Sequence, residues 1–189
     1  MTNGVFSDFE IDQISVKFAG ETSGTAVAVN CVGSVEEEMT AKAITKSCRG
    51  VVVKKVVKGT GEGTLTISAH VPYAIFTDAF GMELDTLKEG VMAYGSNNRH
   101  KAFCLTMHVV DEDGAEKFKA YPNCIFNARP TISVENGAEE VAQVEMEVGV
   151  MPDVNGNGMY EALAEGLDES IKTAWMGNFT PELVKVATV

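Results

Sequence analysis

A strict alternation of apolar and polar side chains, repeated in three separate stretches, constrains this chain more than any other feature. In TLTISAHV (residues 64–71), Leu65, Ile67, Ala69 and Val71 point one way and Thr64, Thr66, Ser68 and His70 the other. In residues 102–109, Phe103, Leu105, Met107 and Val109 alternate with Ala102, Cys104, Thr106 and His108. In residues 142–150, Ala142, Val144, Met146, Val148 and Val150 alternate with Gln143, Glu145 and Glu147. Successive side chains of a strand face opposite sides, so a period of two means a strand with one dry and one wet face. The expected fold is mainly β, an antiparallel sandwich or barrel-like arrangement.

Turn chemistry predicts how the strands connect. VVVKKVVK (residues 51–58) and residues 64–71 read as a hairpin with the glycine-rich GTGEG (residues 59–63) at its tip. Residues 102–109 and EKFKAY (residues 116–121) read as a second, turning at DEDG, with Phe118 and Ala120 inward. A third joins residues 124–135, interrupted near Pro130, to VAQVEMEVGV (residues 141–150) through NGAE. One short flanking helix is predicted over PYAIFTDAF (residues 72–80), with Pro72 at its first position and Gly81 as its stop. A further short helix is expected at about residues 158–165. Residues 1–30 and 166–189 are less patterned and read as arms whose order depends on a neighbouring subunit.

The chain has 189 residues, of which 45% are hydrophobic and 22% charged, so a single domain over residues 1–189 with a genuine core is expected. No apolar run is long enough to cross a bilayer, and the N-terminal residues lack the basic and apolar regions of a secretory signal. No membrane partner is expected, and the protein is expected to accumulate in the cytoplasm. Cys31, Cys48, Cys104 and Cys124 form no CxxC pair and read as small buried hydrophobes.

Fifteen basic residues against twenty-seven acidic ones give a formal charge of -12, which disfavours binding to a phosphate backbone. The charges are also segregated. Lys42, Lys46, Arg49, Lys54, Lys55 and Lys58 occupy a stretch without acids. Glu135, Glu139, Glu140, Glu145, Glu147, Asp153, Glu161, Glu165, Asp168 and Glu169 occupy one without Lys or Arg. Two readings stand: two solvated faces, or a basic edge of one subunit meeting an acidic edge of another. The face carrying Gln143, Glu145 and Glu147 likewise suits either a solubilising outer surface or a pore wall that repels DNA.

Catalytic chemistry finds little purchase. The three histidines, His70, His100 and His108, come with no GxSxG, HExxH, P-loop or GxGxxG motif. KGTGEG lacks the GK[ST] and helix that a phosphate cradle needs. DVNGNG (residues 153–158) matches the first half of a calcium loop, but the closing position is Ala164, with Glu165 one residue late. No catalytic residue, cofactor or metal is expected, and the chain is read as something other than an enzyme.

Three stretches resemble the major tail protein family of long-tailed phages and prophages of Gram-positive bacteria. They are ITKSCRGVVVKKVVKGTGEGTLTISAHVPY, YGSNNRHKAFCLTMHVVDEDGAEKFKAYPNC and NGAEEVAQVEMEVGVMPDVNGNGMYEAL (residues 44–73, 94–124 and 136–163). The resemblance implies a tail-tube fold of two packed antiparallel sheets with a flanking helix. It also implies hexameric rings stacked into a tube through which DNA passes without specific binding. Implied partners are other copies of the chain, a tape-measure protein, a distal tail protein and a tail terminator, in the tail of a virion assembled in the host cytoplasm. The interaction elements it implies are the basic run (Lys42, Lys46, Arg49, Lys54, Lys55, Lys58), the Gly59, Gly61, Glu62 and Gly63 tip, and the terminal arms. Gln143, Glu145 and Glu147 are the lumen candidates. The competing readings are another morphogenesis component (sheath, tail-completion or decoration protein) and a small β-sandwich hydrolase or ligand-binding protein.

Overall fold

In a computed structural model, which describes residues 6–20, 25–137 and 139–186, the alternating stretches become strands of one antiparallel sheet. The strands are β1 (Glu10–Phe18), β2 (Val27–Val29), β3 (Cys31–Cys48), β4 (Val51–His70), β5 (Phe103–Val110), β6 (Glu116–Phe126), β7 (Val144–Val150) and β8 (Tyr160–Leu163). Helix α1 (Tyr73–Ala79) follows β4, and helix α2 (Glu169–Asn178) follows β8. The order across the sheet is β2-β1-β5-β6-β7-β4-β3, with β8 pairing the first part of β6. The mainly-β, antiparallel expectation holds; it is realised as one continuous sheet that curls until β3 comes back against β1.

The inside of the curl is the main core. Leu65, Ile67 and Ala69 of β4, Phe103, Leu105, Met107 and Val109 of β5, and Met146, Val148 and Val150 of β7 are all buried there, as alternation requires. Helix α1 closes one end with Ile75, Phe76 and Ala79, and Phe80 stacks toward Phe126 at 5.2 Å between ring centres. A bulge between the Phe103–Cys124 and Leu105–Tyr121 pairs inserts one extra residue into β6. It keeps Tyr121, Cys124 and Phe126 on the core side, and Pro122 sits where no ladder hydrogen bond is needed.

The opposite face of β5 and β6 is also dry, which alternation alone did not predict. Trp175 and Phe179 of the α2 region pack on Phe118 and Ala120 with Ala164 beneath them. Phe118 and Ala120 are buried as expected, but in this second cluster and not beside Tyr121. Helix α2 therefore lies where an arm was expected, and β1, expected as part of the other arm, pairs on both sides with β2 and β5. The outermost residues of both arms lie outside the described residues.

Three further expectations are corrected. The first predicted hairpin is one strand, because residues 51–58 and 64–71 run continuously in β4 and the true turn is at Arg49 and Gly50. The third hairpin is short: only Cys124, Ile125 and Phe126 pair with β7, and residues 127–137 and 139–143 form no strand where one was expected. Residues 158–165 are not a helix, since Tyr160–Leu163 is the strand β8, followed by a 3-10 turn over Ala164–Gly166.

Trp175 is 1% exposed and is the sole tryptophan of the chain. Trp175→Ala empties the centre of the α2 cluster and is expected to lower stability by about 3–5 kcal/mol. Urea unfolding followed by far-ultraviolet circular dichroism checks this.

Candidate assembly surfaces

Strand β4 pairs with β7 only from Gly63 to Ala69, whereas it pairs with β3 almost from end to end. Beyond Gly63 the two strands leave the sheet as a ribbon about 30 Å long, the nine steps of β3 from Met39 to Cys48 at about 3.3 Å per residue. The turn places Arg49 at φ 53° and Gly50 at φ 77°, the double left-handed geometry of a two-residue hairpin. Neither long edge of the ribbon has a strand partner among the described residues.

The ribbon's register brings like charges together. Lys42 is paired with Lys58 and Lys46 with Lys54, and the Ile44–Val56 pair lies between them on the same face. Opposed lysines destabilise an isolated ribbon. All six basic residues of the run are exposed, and among the described residues none of them is in an ion pair. Val51, Val52, Val53 and Val57 are each more than half exposed beside them.

The expected glycine tip lies at the root of this ribbon. Between the Met39–Gly63 and Ala41–Gly59 pairs β4 carries extra residues, and Thr60 Oγ1 donates to the Thr40 carbonyl across this bulge. Loop 152–158 presses on it: a Cβ at Gly61 would meet the Gly156 carbonyl oxygen at 2.7 Å, and one at Gly158 the Gly61 carbonyl oxygen at 2.0 Å. Only glycine allows that approach. Gly59, Gly61 and Gly63 thus set where the ribbon leaves the sheet, and Glu62 is exposed beside them.

Glu145 and Glu147 are exposed on the outer face of β7, as alternation predicted. Their cross-strand neighbours Ser68 and Thr66 lie between them and β3, where Glu36 stands opposite Thr66 and Glu38 opposite Thr64. Four carboxylates therefore share a wet face with a row of hydroxyls. Gln143, the third lumen candidate, precedes the strand and rests its amide over Gly33.

The remaining candidates are scattered. His70 is exposed at the end of β4. His100 donates to the Phe126 carbonyl and accepts from Tyr94, and His108 donates to Asp12. Asp153 uses both carboxylate oxygens within its own loop, accepting from the Asn155 and Asn157 amides, the Asn155 side chain and Tyr160. Partial burial opposes ionisation there, but the Tyr160 and amide hydrogen bonds hold the carboxyl below its ordinary value. Cys31 and Cys48 are exposed, contrary to expectation, whereas burial pushes the Cys104 thiol up to about 12 and raises that of Cys124 as well.

Sequence reasoning missed a polar latch at the seam of the curl. Counting back by twos from Tyr121 places Lys119 on the core face, and that was the available signal. Lys119 is 7% exposed and donates to Asp8 at 2.7 Å and Glu37 at 3.0 Å, while Tyr121 donates to Glu37 at 2.7 Å. Glu37 stands opposite Leu65, so it faces inward from β3. Burial lowers the affinity of Lys119 for its proton, but the hydrogen bonds to Asp8 and Glu37 reverse this and hold its pKa above 10.5. The latch forms one wall of an open cleft of about 540 Å³ between β1 and β3.

No protein-family model matches the chain, and no curated protein matches it. Among solved structures it is similar to a chain of the anti-feeding prophage (AFP) baseplate, determined by cryo-EM and 6-fold symmetrised. That likeness has a TM-score of 0.44 and 10% identity, covering 86% of this chain and 97% of that one. It is also similar to a chain of the AFP tube terminating cap, with a TM-score of 0.40 and 12% identity, at the same coverage of 86% and 97%.

Asp8 loses some water on burial, but hydrogen bonds from Lys117 and Lys119 leave its pKa below 3.8. A depressed carboxylate pKa stabilises the fold above the unfolded value, and the benefit disappears as pH falls through the folded one. Asp8→Asn is therefore expected to be less stable than the parent at neutral pH, with the gap closing as the pH drops below 3.8. Urea midpoints of both proteins from neutral to strongly acid pH check this.

Proposed function

We propose that the chain is a structural subunit of a phage or prophage tail, not an enzyme, and that it polymerises with itself as stacked hexameric rings into the tail tube. The observation that carries this reading is the β3–β4 ribbon. It exposes aliphatic side chains, cross-strand lysine pairs with no acidic partner among the described residues, and open strand edges, which a monomer gains nothing by presenting to water. Contact with a neighbour covers the edges and neutralises the lysines. The resemblance of residues 44–73, 94–124 and 136–163 to major tail proteins supports the same reading.

On this reading the acidic outer face formed by Glu36, Glu38, Glu145 and Glu147 lines the lumen. A wall of carboxylates and hydroxyls repels phosphates, so DNA slides through without being held. The tape-measure protein would lie inside during assembly, with the distal tail protein and terminator at the ends. Such a particle assembles in the host cytoplasm and needs no membrane anchor. No helix among the described residues is long and apolar enough to cross a membrane.

Purified parent protein is expected to form tubes or stacked rings at high concentration under negative-stain microscopy. Lys54→Glu combined with Lys55→Glu is expected to leave the circular dichroism spectrum unchanged and to abolish those polymers. Unimpaired polymerisation of the double variant, or stable monomers or trimers of the parent, would sink the reading.

A further inference from the structure

The loop residues 127–137 and 139–143 present a surface whose chemistry mirrors that of the ribbon. Ile132, Val134 and Val141 are exposed, the last two at 86% and 78%. Glu135, Glu139 and Glu140 are exposed among them. The loop's one basic residue, Arg129, is occupied nearby, with its guanidinium over Phe76 at 5.5 Å and Tyr94 at 5.6 Å. The ribbon interleaves aliphatic side chains with bases, and this loop interleaves them with acids.

The two surfaces lie at opposite poles of the molecule. The register pairs Val144, where the loop enters β7, with Ala69 near the far end of β4. Helix α1 begins just beyond that end, and Arg129 ties the loop to it. The ribbon turn at Arg49 and Gly50 is at the other end of the same strand. Neither surface can reach the other within one chain, because both are anchored to the two ends of a single extended strand.

We infer that the ribbon of one copy seats against residues 131–137 and 139–141 of the next copy, head to tail. The inference rests on the reading of the chain as a stacking subunit and names the surface that receives the ribbon. Two different, complementary patches at opposite poles form a heterologous contact, and one directed along the length of the molecule repeats along an axis as an open stack. The acids of the loop neutralise the Lys42–Lys58 and Lys46–Lys54 pairs, and Ile44 and Val56 meet Val134 and Val141. Charge complementarity sets register and orientation, while burial of the aliphatic residues holds the contact.

A charge swap tests this in the full chain. One variant carries Lys42→Glu, Lys46→Glu, Lys54→Glu and Lys58→Glu; a second carries Glu135→Lys, Glu139→Lys and Glu140→Lys. Each alone is expected to lose polymer, measured by pelleting and negative-stain microscopy, on the order of tenfold or more, because like charges now face each other. An equimolar mixture of the two is expected to recover polymer, since the acidic ribbon of one fits the basic loop of the other. A chain carrying both sets is expected to recover it as well. If the loop variant polymerises like the parent, or the mixture fails to recover, the ribbon seats elsewhere and the inference falls while the tube reading stands. A parent chain that never polymerises removes both.

Discussion

Everything distinctive about this molecule depends on the hydrogen-bonded ladder between β3 and β4 continuing after the rest of the sheet has ended. Within the body, β4 has neighbours on both sides and a stripe of Leu65, Ile67 and Ala69 buried in the core. Past Gly63 it has one neighbour and no core, yet the same ladder carries it on to Val51. Burial at one end thus supplies the anchorage for a segment that could not stand by itself, because an isolated two-stranded hairpin is marginal in water.

The curl of the sheet serves that anchorage. With β3 turned back against β1, the inner edge of the ribbon strand is held from a second direction by Glu37, which reaches Lys119 and Tyr121 on β6. A lysine and two carboxylates at the margin of an apolar core are tolerable because each is paired, and their mutual geometry selects one closure of the sheet. Helix α2 does the corresponding work outside: by covering Phe118 and Ala120 it makes the β5–β6 pair dry on both faces and therefore the most deeply set part of the sheet.

Much of this was legible from the residues. Alternation located the buried faces of β4, β5 and β7, and Pro72 at the start with Gly81 as the stop marked α1. What failed did so for identifiable reasons. GTGEG has the composition of a turn, but a strand can absorb glycines at a bulge where another backbone must approach, and nothing local distinguishes the two. Arg49–Gly50 lacks the Asn or Asp that usually announces a two-residue turn, so it passed as part of a basic run. Pairing partners decided both cases, and pairing is a long-range property. For the assembly surfaces, the basic residues and Glu145 and Glu147 were visible as charge segregation. Which lysines oppose each other, and which end of the molecule each patch occupies, depended on register.

The bulge at Thr60 to Glu62, braced by loop 152–158, has a mechanical meaning. It is the fulcrum of a lever whose long arm is the ribbon, about 30 Å from root to turn. A rotation of about six degrees at such a fulcrum sweeps the far end through about 3 Å, roughly the spacing of one residue along a strand. The backbone-to-backbone contact of Gly61 with Gly156 and Gly158 therefore sets the aim of Arg49 and Gly50, and with it the pitch at which successive copies could be laid down.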